Sequence, residues 1–119
     1  MTKKVKKIIW YSRHDVLKSQ CEELKRIFGE EIEIMKDPKP FSSAEEAVKR
    51  FRESGADEMV VVAPLSVISH ICNQGIRPLW AQMKQVPIDQ AEVIDKNRGY
   101  KFIKFRRVKR LALEFEDIK

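Results

Sequence analysis

A chain of 119 residues with 43% hydrophobic and 35% charged content suits one domain with an ordinary core and is too apolar to remain disordered. Its net charge of +6 is concentrated: residues 1–95 balance at 15 basic against 15 acidic, whereas residues 96–110 hold eight basic residues and no acidic one. The longest uncharged stretch, residues 59–76, is broken by Pro64, Ser66, His70 and Asn73, which excludes a spanning helix there, and the basic N-terminus has no long apolar region; a cytoplasmic protein with no membrane contact is expected.

The β-branched and aromatic run at residues 5–11 predicts a buried strand that gives way to polar Ser12, Arg13, His14 and Asp15. Leu17, Cys21, Leu24 and Phe28 then recur at helical spacing, with Asp15 expected as N-cap and Gly29 as C-terminal stop. Residues 31–36 alternate as a second strand, halted by Asp37-Pro38-Lys39-Pro40. Ser43 and Glu46 form a capping box for a second helix carrying Ala44, Ala47, Val48 and Phe51, closed by Gly55. Residues 58–63 are an unbroken apolar run suited to a central parallel strand. Pro64 opens a third helix whose stripe is Leu65, Ile68, Ile71 and Cys72 and which ends at Gly75. Residues 78–83 predict a fourth strand. Residues 91–95 and 100–108 predict a hairpin turning through residues 96–99, with Arg98-Gly99 as turn chemistry, and Leu111, Leu113 and Phe115 alternate as one more strand. Cys21 and Cys72 each fall among apolar residues and are expected as buried thiols without a disulfide.

This order implies a single α/β domain over residues 1–119: a Rossmann-like three-layer sandwich whose mostly parallel sheet carries an antiparallel C-terminal hairpin. Ligands of such sheets bind beyond the carboxyl ends of the strands, where chain order reverses. Residues 12–15 and 64–66 should meet there. Ser12, Arg13, His14, Ser66 and Ser69 are therefore the candidate ligand-binding residues, and His14 is the candidate catalytic residue. A hydroxyl, a guanidinium fork and a proton-exchanging imidazole beside a helix start suit a phosphate. In the plainer alternative Asp15 only caps the helix, Arg13 and His14 are surface or hinge residues, and His70 is a solvated helix residue. There is no glycine-rich loop for a dinucleotide or a nucleoside triphosphate. The only histidines, His14 and His70, show no local ligand spacing, so no metal and no cofactor are expected.

The basic segment includes Arg98-Gly99-Tyr100-Lys101-Phe102-Ile103-Lys104-Phe105, close to the octamer of an RNA-recognition motif. Lys101 stands where that octamer needs a small residue, and nearly the whole domain precedes it instead of one strand, one helix and another strand. A phosphate-binding ribbon outside that family would use Lys101, Lys104, Arg106, Arg107, Lys109 and Arg110. Strict alternation puts Lys104 and Arg106 with Tyr100 and Phe102 on one face, and Lys101 and Arg107 with Ile103 and Phe105 on the other. The plain reading is a strand whose apolar residues join the core while its lysines are solvated.

A first strand followed by Ser12, His14 and, six residues on, Gln20 resembles small CRISPR-associated proteins of the cyclic-oligonucleotide ring-nuclease type. The resemblance implies a homodimer in a defence setting that binds a cyclic oligoadenylate at the switch-point face without a metal. In some members the ribose hydroxyl is positioned to attack its own phosphodiester. It carries over Ser12 and His14 as ligand contacts and leaves the basic hairpin unmatched. Three functions follow in order: a binder, or metal-independent phosphodiesterase, of a phosphate-rich nucleotide ligand; a non-catalytic RNA- or DNA-binding module using residues 96–110; and a small protein-interaction subunit.

Overall fold

Ile8, Ile9, Trp10 and Tyr11 are all buried, on both faces of strand β1 (Lys6–Tyr11), because β1 is an interior strand of a sheet with helices packed on each face. The structure, a computed structural model, describes residues 5–12, 14–39, 42–110 and 116–118. After β1 come α1 (Lys18–Phe28), β2 (Ile32–Lys36), α2 (Ala44–Ser54), β3 (Glu58–Val61), α3 (Leu65–Asn73) and β4 (Leu79–Val86). A 3₁₀ turn at Ile88–Gln90, β5 (Val93–Asp95) and β6 (Arg98–Arg107) complete the described elements. The six strands form one mixed α/β sheet in the order β2-β1-β3-β4-β6-β5. β2, β1, β3 and β4 pair in parallel, and β6 pairs antiparallel with both β4 and β5. Chain order therefore reverses beside β1, with β2 on one side and β3 on the other. The expected strand at Leu111, Leu113 and Phe115 lies outside the described residues.

Alternation along β1 and β3 sends successive side chains to opposite faces. Ile9, Tyr11, Met59 and Val61 pack with Ala47 and Val48 of α2 and Ile68, Ile71 and Cys72 of α3. Ile8, Trp10 and Val60 pack with Leu24 of α1, Leu79 of β4 and, at the margin, Phe105 of β6.

Several local expectations change. Asp15 does not cap α1; it pairs with Lys36 at the end of β2, and the helix starts three residues later. Leu17 occupies the cap position without a side-chain cap, and its own N–H donates to Gln20 Oε1 at 2.9 Å, so a buried glutamine three residues on fastens the start of the helix from within. Leu65 is exposed, because the third helix buries only Ile68, Ile71 and Cys72. Cys21 is half-buried and Cys72 buried, both as free thiols. The hairpin turn is made by Lys96 and Asn97, whose φ values of 50° and 62° are left-handed, whereas Gly99 lies inside β6. A Cβ on Gly99 would fall 2.7 Å from Ala91 Cβ and 2.9 Å from the Val86 carbonyl oxygen, so close packing and not turn chemistry selects that glycine.

Strict alternation also fails in β6. Gln82 pairs with Lys104 but Met83 with Phe102, leaving Ile103 as an extra residue in a bulge. Phe102 and Phe105 consequently share the α1 side, with ring centroids 4.8 Å apart, and Phe105 meets Trp10 edge-on at 6.2 Å. Arg107 joins their side of the sheet, and Lys101, Lys104 and Arg106 share the other.

Candidate functional site: a cavity at the carboxyl ends of β1, β2 and β3

Trp10 is 2% exposed, and its indole Nε1 donates to the His14 carbonyl at 3.1 Å, which holds the loop after β1 against the sheet. The His14 N–H donates to Ser12 Oγ at 3.1 Å, closing a small side-chain-directed turn. Arg13, a candidate from the sequence, lies outside the described residues. The loop after β2 is fastened from two directions. The Asp37 N–H donates to the Trp10 carbonyl at 2.9 Å, and Arg50 of α2 pairs with the Asp37 carboxylate while donating to the Lys39 carbonyl at 3.2 Å. The Arg50 guanidinium also lies 5.5 Å from the centre of the Tyr11 ring. Beyond β3, the Val62 N–H donates to the Tyr11 carbonyl at 3.2 Å, extending the parallel ladder by one step.

These three strand ends enclose a cavity of about 460 Å³. Its polar lining includes Ser12 and His14 after β1, Asp37 and Lys39 after β2, and Ser42 and Ser43 at the start of α2. Tyr11, Pro38, Val62, Ala63, Pro64 and Val67 supply the apolar walls. The loops predicted to meet do so through Ser12, His14 and Pro64. α3 contributes Val67 to the lining, whereas Ser66 is exposed and Ser69 half-buried, neither of them on the cavity wall. His70 faces α2, with Nε2 3.8 Å from a Glu45 carboxylate oxygen. Gln20 points into the protein, its Nε2 3.8 Å from Met83 Sδ. Asp37, Lys39, Ser42 and Ser43 were not among the candidates. The reversal of chain order beside β1 carries their signal, because a cavity there must be walled by β2's end as well as by those of β1 and β3.

Electrostatically the cavity is divided. Burial pushes the Tyr11 phenol up to about 12, with the Asp37 charge adding to the rise and Arg50 opposing it, so the ring wall is neutral over the ordinary pH range. The Asp37 charge is matched by Arg50. α2 is already capped: Ser43 Oγ accepts from the Glu46 N–H at 3.2 Å, and the Glu46 carboxylate accepts from the Ser42 N–H at 2.6 Å. Bonds from the Ser42 hydroxyl and amide hold the Glu46 carboxyl below its usual range. α3 is different, for it begins at Pro64 with no side-chain cap and no acidic residue in its first turn. Its positive dipole end and the Lys39 ammonium are the features of the cavity that favour an anion.

The basic residues of β6 divide by role. Arg107 donates to Glu58 at 2.5 and 3.3 Å and to the Arg77 carbonyl at 2.9 Å, which makes it a tie between β6 and β3. Arg106 donates to Gln82 Oε1 at 2.6 Å. Lys101, Lys104, Lys109 and Arg110 are exposed.

Among the described residues no three His, Cys, Asp or Glu side chains group as a metal site, and no helix is long and apolar enough to cross a membrane. Comparison with known proteins gave no matching family model, no matching curated protein and no matching solved structure.

Proposed function

We propose that the chain is a cytoplasmic, Rossmann-like three-layer protein that binds a phosphate-rich nucleotide ligand, such as a cyclic oligonucleotide, in the cavity between β1 and β3, in a CRISPR-associated or mobile-element defence role. The observation that carries this reading is the cavity itself. It sits at the carboxyl ends of parallel strands where chain order reverses, the usual ligand position of such sheets, and it combines the hydroxyls of Ser12, Ser42 and Ser43 with His14, Lys39 and an uncapped helix start. Its apolar walls of Tyr11, Pro38 and Val62 suit a base or ribose face. At about 460 Å³ it is nearer the lower end of the ~300–1,000 Å³ range of ligand pockets. A ring of several nucleotides therefore engages two such cavities, which is the physical reason for proposing a homodimer.

If the ligand is cleaved, the chemistry needs no external nucleophile. A ribose 2′-hydroxyl attacks the adjacent phosphorus, the bond from phosphorus to the 5′-oxygen breaks, the 5′-oxygen leaves as a hydroxyl by taking up the proton that the 2′-hydroxyl gave up, and a 2′,3′-cyclic phosphate remains. An imidazole is the side chain suited to take the hydroxyl proton, which assigns that role to His14.

Calorimetric titration with cyclic oligoadenylates, linear dinucleotides and mononucleotides tests binding, and chromatography of the same mixtures in a chelator tests cleavage. Ser12→Ala should weaken the bound ligand by about 2- to 12-fold, the worth of one hydrogen bond of roughly 0.5–1.5 kcal/mol. His14→Ala should abolish cleavage while retaining most of the binding. Absence of binding across the panel, or binding that neither substitution alters, removes the cavity as the site.

A further inference from the structure

Among the described residues, the antiparallel end of the sheet has one face covered and one bare. Phe102, Phe105, Leu79 and Met83 turn toward α1 and its core. Cross-strand pairing then fixes what faces the other way: Trp80 opposite Arg106, Gln82 opposite Lys104, and Lys84 opposite Lys101, with Ile103 in the bulge between. α2 and α3 pack over β1 and β3, so they leave this half of the sheet open. Trp80 is 44% and Ile103 41% exposed, and Ile94 of β5, opposite Gly99, extends the same surface.

Two features of this surface call for a particular occupant. Lys84 and Lys101 are directly opposed on neighbouring strands, an arrangement that costs energy unless an anion lies across it. The described strand residues of this face include no carboxylate, since Asp95 pairs with Arg98 on the α1 side. An indole, a large aliphatic side chain and four cations on one flat sheet are complementary to a ligand that carries both stackable rings and repeated phosphates. A second copy of the chain related by a two-fold axis would instead set cations against cations.

We propose that the bare face of β4, β6 and β5 binds single-stranded nucleic acid, with a base stacked on Trp80 and phosphates held by Lys84, Lys101, Lys104 and Arg106. Arg107 takes no part, because its guanidinium is committed to Glu58. Unpaired bases are required, since a duplex hides the ring faces that an exposed indole stacks on. The site is separate from the cavity and does not rest on the reading given for it.

The test is fluorescence anisotropy of the full chain with labelled RNA and DNA single strands of about 12 nucleotides and with the matching duplex, from about 50 to 200 mM salt. Single strands should bind better than duplex, with affinity falling steeply as salt rises. Trp80→Ala should weaken binding by about 5- to 150-fold, and Trp80→Phe should restore most of it. Each of Lys84→Gln, Lys101→Gln and Lys104→Gln should lower the salt slope by about 0.7. The chain has two tryptophans and Trp10 is buried, so quenching of indole emission on binding should disappear in Trp80→Phe. Four results overturn the proposal: no oligonucleotide binding, equal binding of duplex, affinity and slope indifferent to these substitutions, or a dimer dispersed by Trp80→Asp without oligonucleotide binding, which would assign the face to a second copy.

Discussion

Tyr11 joins the core to the cavity: its ring packs with the α2 and α3 side of the sheet and also forms a cavity wall. Because burial raises its pKa from 10.0 to about 12, the unfolded chain loses this proton first. Between those values the unfolded state binds fewer protons than the folded one, so the stabilising contribution is complete below pH 10 and is lost as pH rises toward 12. Urea denaturation across that window should show stability falling more steeply in the native chain than in Tyr11→Phe, and tyrosinate absorbance should show the delayed ionisation directly. Asp15 shows the opposite sign. A hydrogen bond from Lys36, reinforced by its charge, holds the Asp15 carboxyl below its usual range, so that contribution is lost only as acid protonates it.

At the scale of the elements, α1 and α2 are fastened at their starts by different bonds. Ser43 caps α2 with a hydroxyl, whereas α1 relies on Gln20, which is 5% exposed and accepts from Leu17 while reaching Met83. Ser43→Ala should cost about 0.5–2 kcal/mol in thermal or urea denaturation. Gln20→Ala should cost more than an ordinary surface change, about 1–3 kcal/mol, because it leaves the Leu17 N–H without its partner. The α2 boundaries were legible because Ser43, Glu46 and Gly55 are local signals. The start of α1 was not, since a buried glutamine acting backward on a leucine resembles any other helix-interior residue. The strand order was readable from alternating elements, and with it the meeting of Ser12 and Pro64. The face of each β6 residue was not, because one extra residue at Ile103 reverses every later position, and only the three-residue spacing of Phe102 and Phe105 hinted at it.

Across the whole molecule, the parallel and antiparallel halves of the sheet meet where β3 pairs with β4 only at Val60 and Leu79. Arg107 reinforces that seam from β6, and Lys6 of β1 adds a weaker contact to the same Glu58 carboxylate at 3.8 Å. Arg107→Ala should therefore destabilise the fold by about 1.5–3 kcal/mol, the range for hydrogen bonds to charged groups, with hydrogen exchange accelerated in β4 and β6 before β1. Arg106→Ala, which removes an exposed hydrogen bond to the neutral Gln82, should change stability far less. Among the described residues the sheet ends in two different ways. β5 contributes three residues, and β2 contributes five that include Glu33 and Lys36 and lead into Asp37-Pro38. A strand arriving from another molecule would find too short a ladder at one margin and charges followed by a proline at the other, so lateral growth into an intermolecular β-ribbon is opposed by the margins themselves.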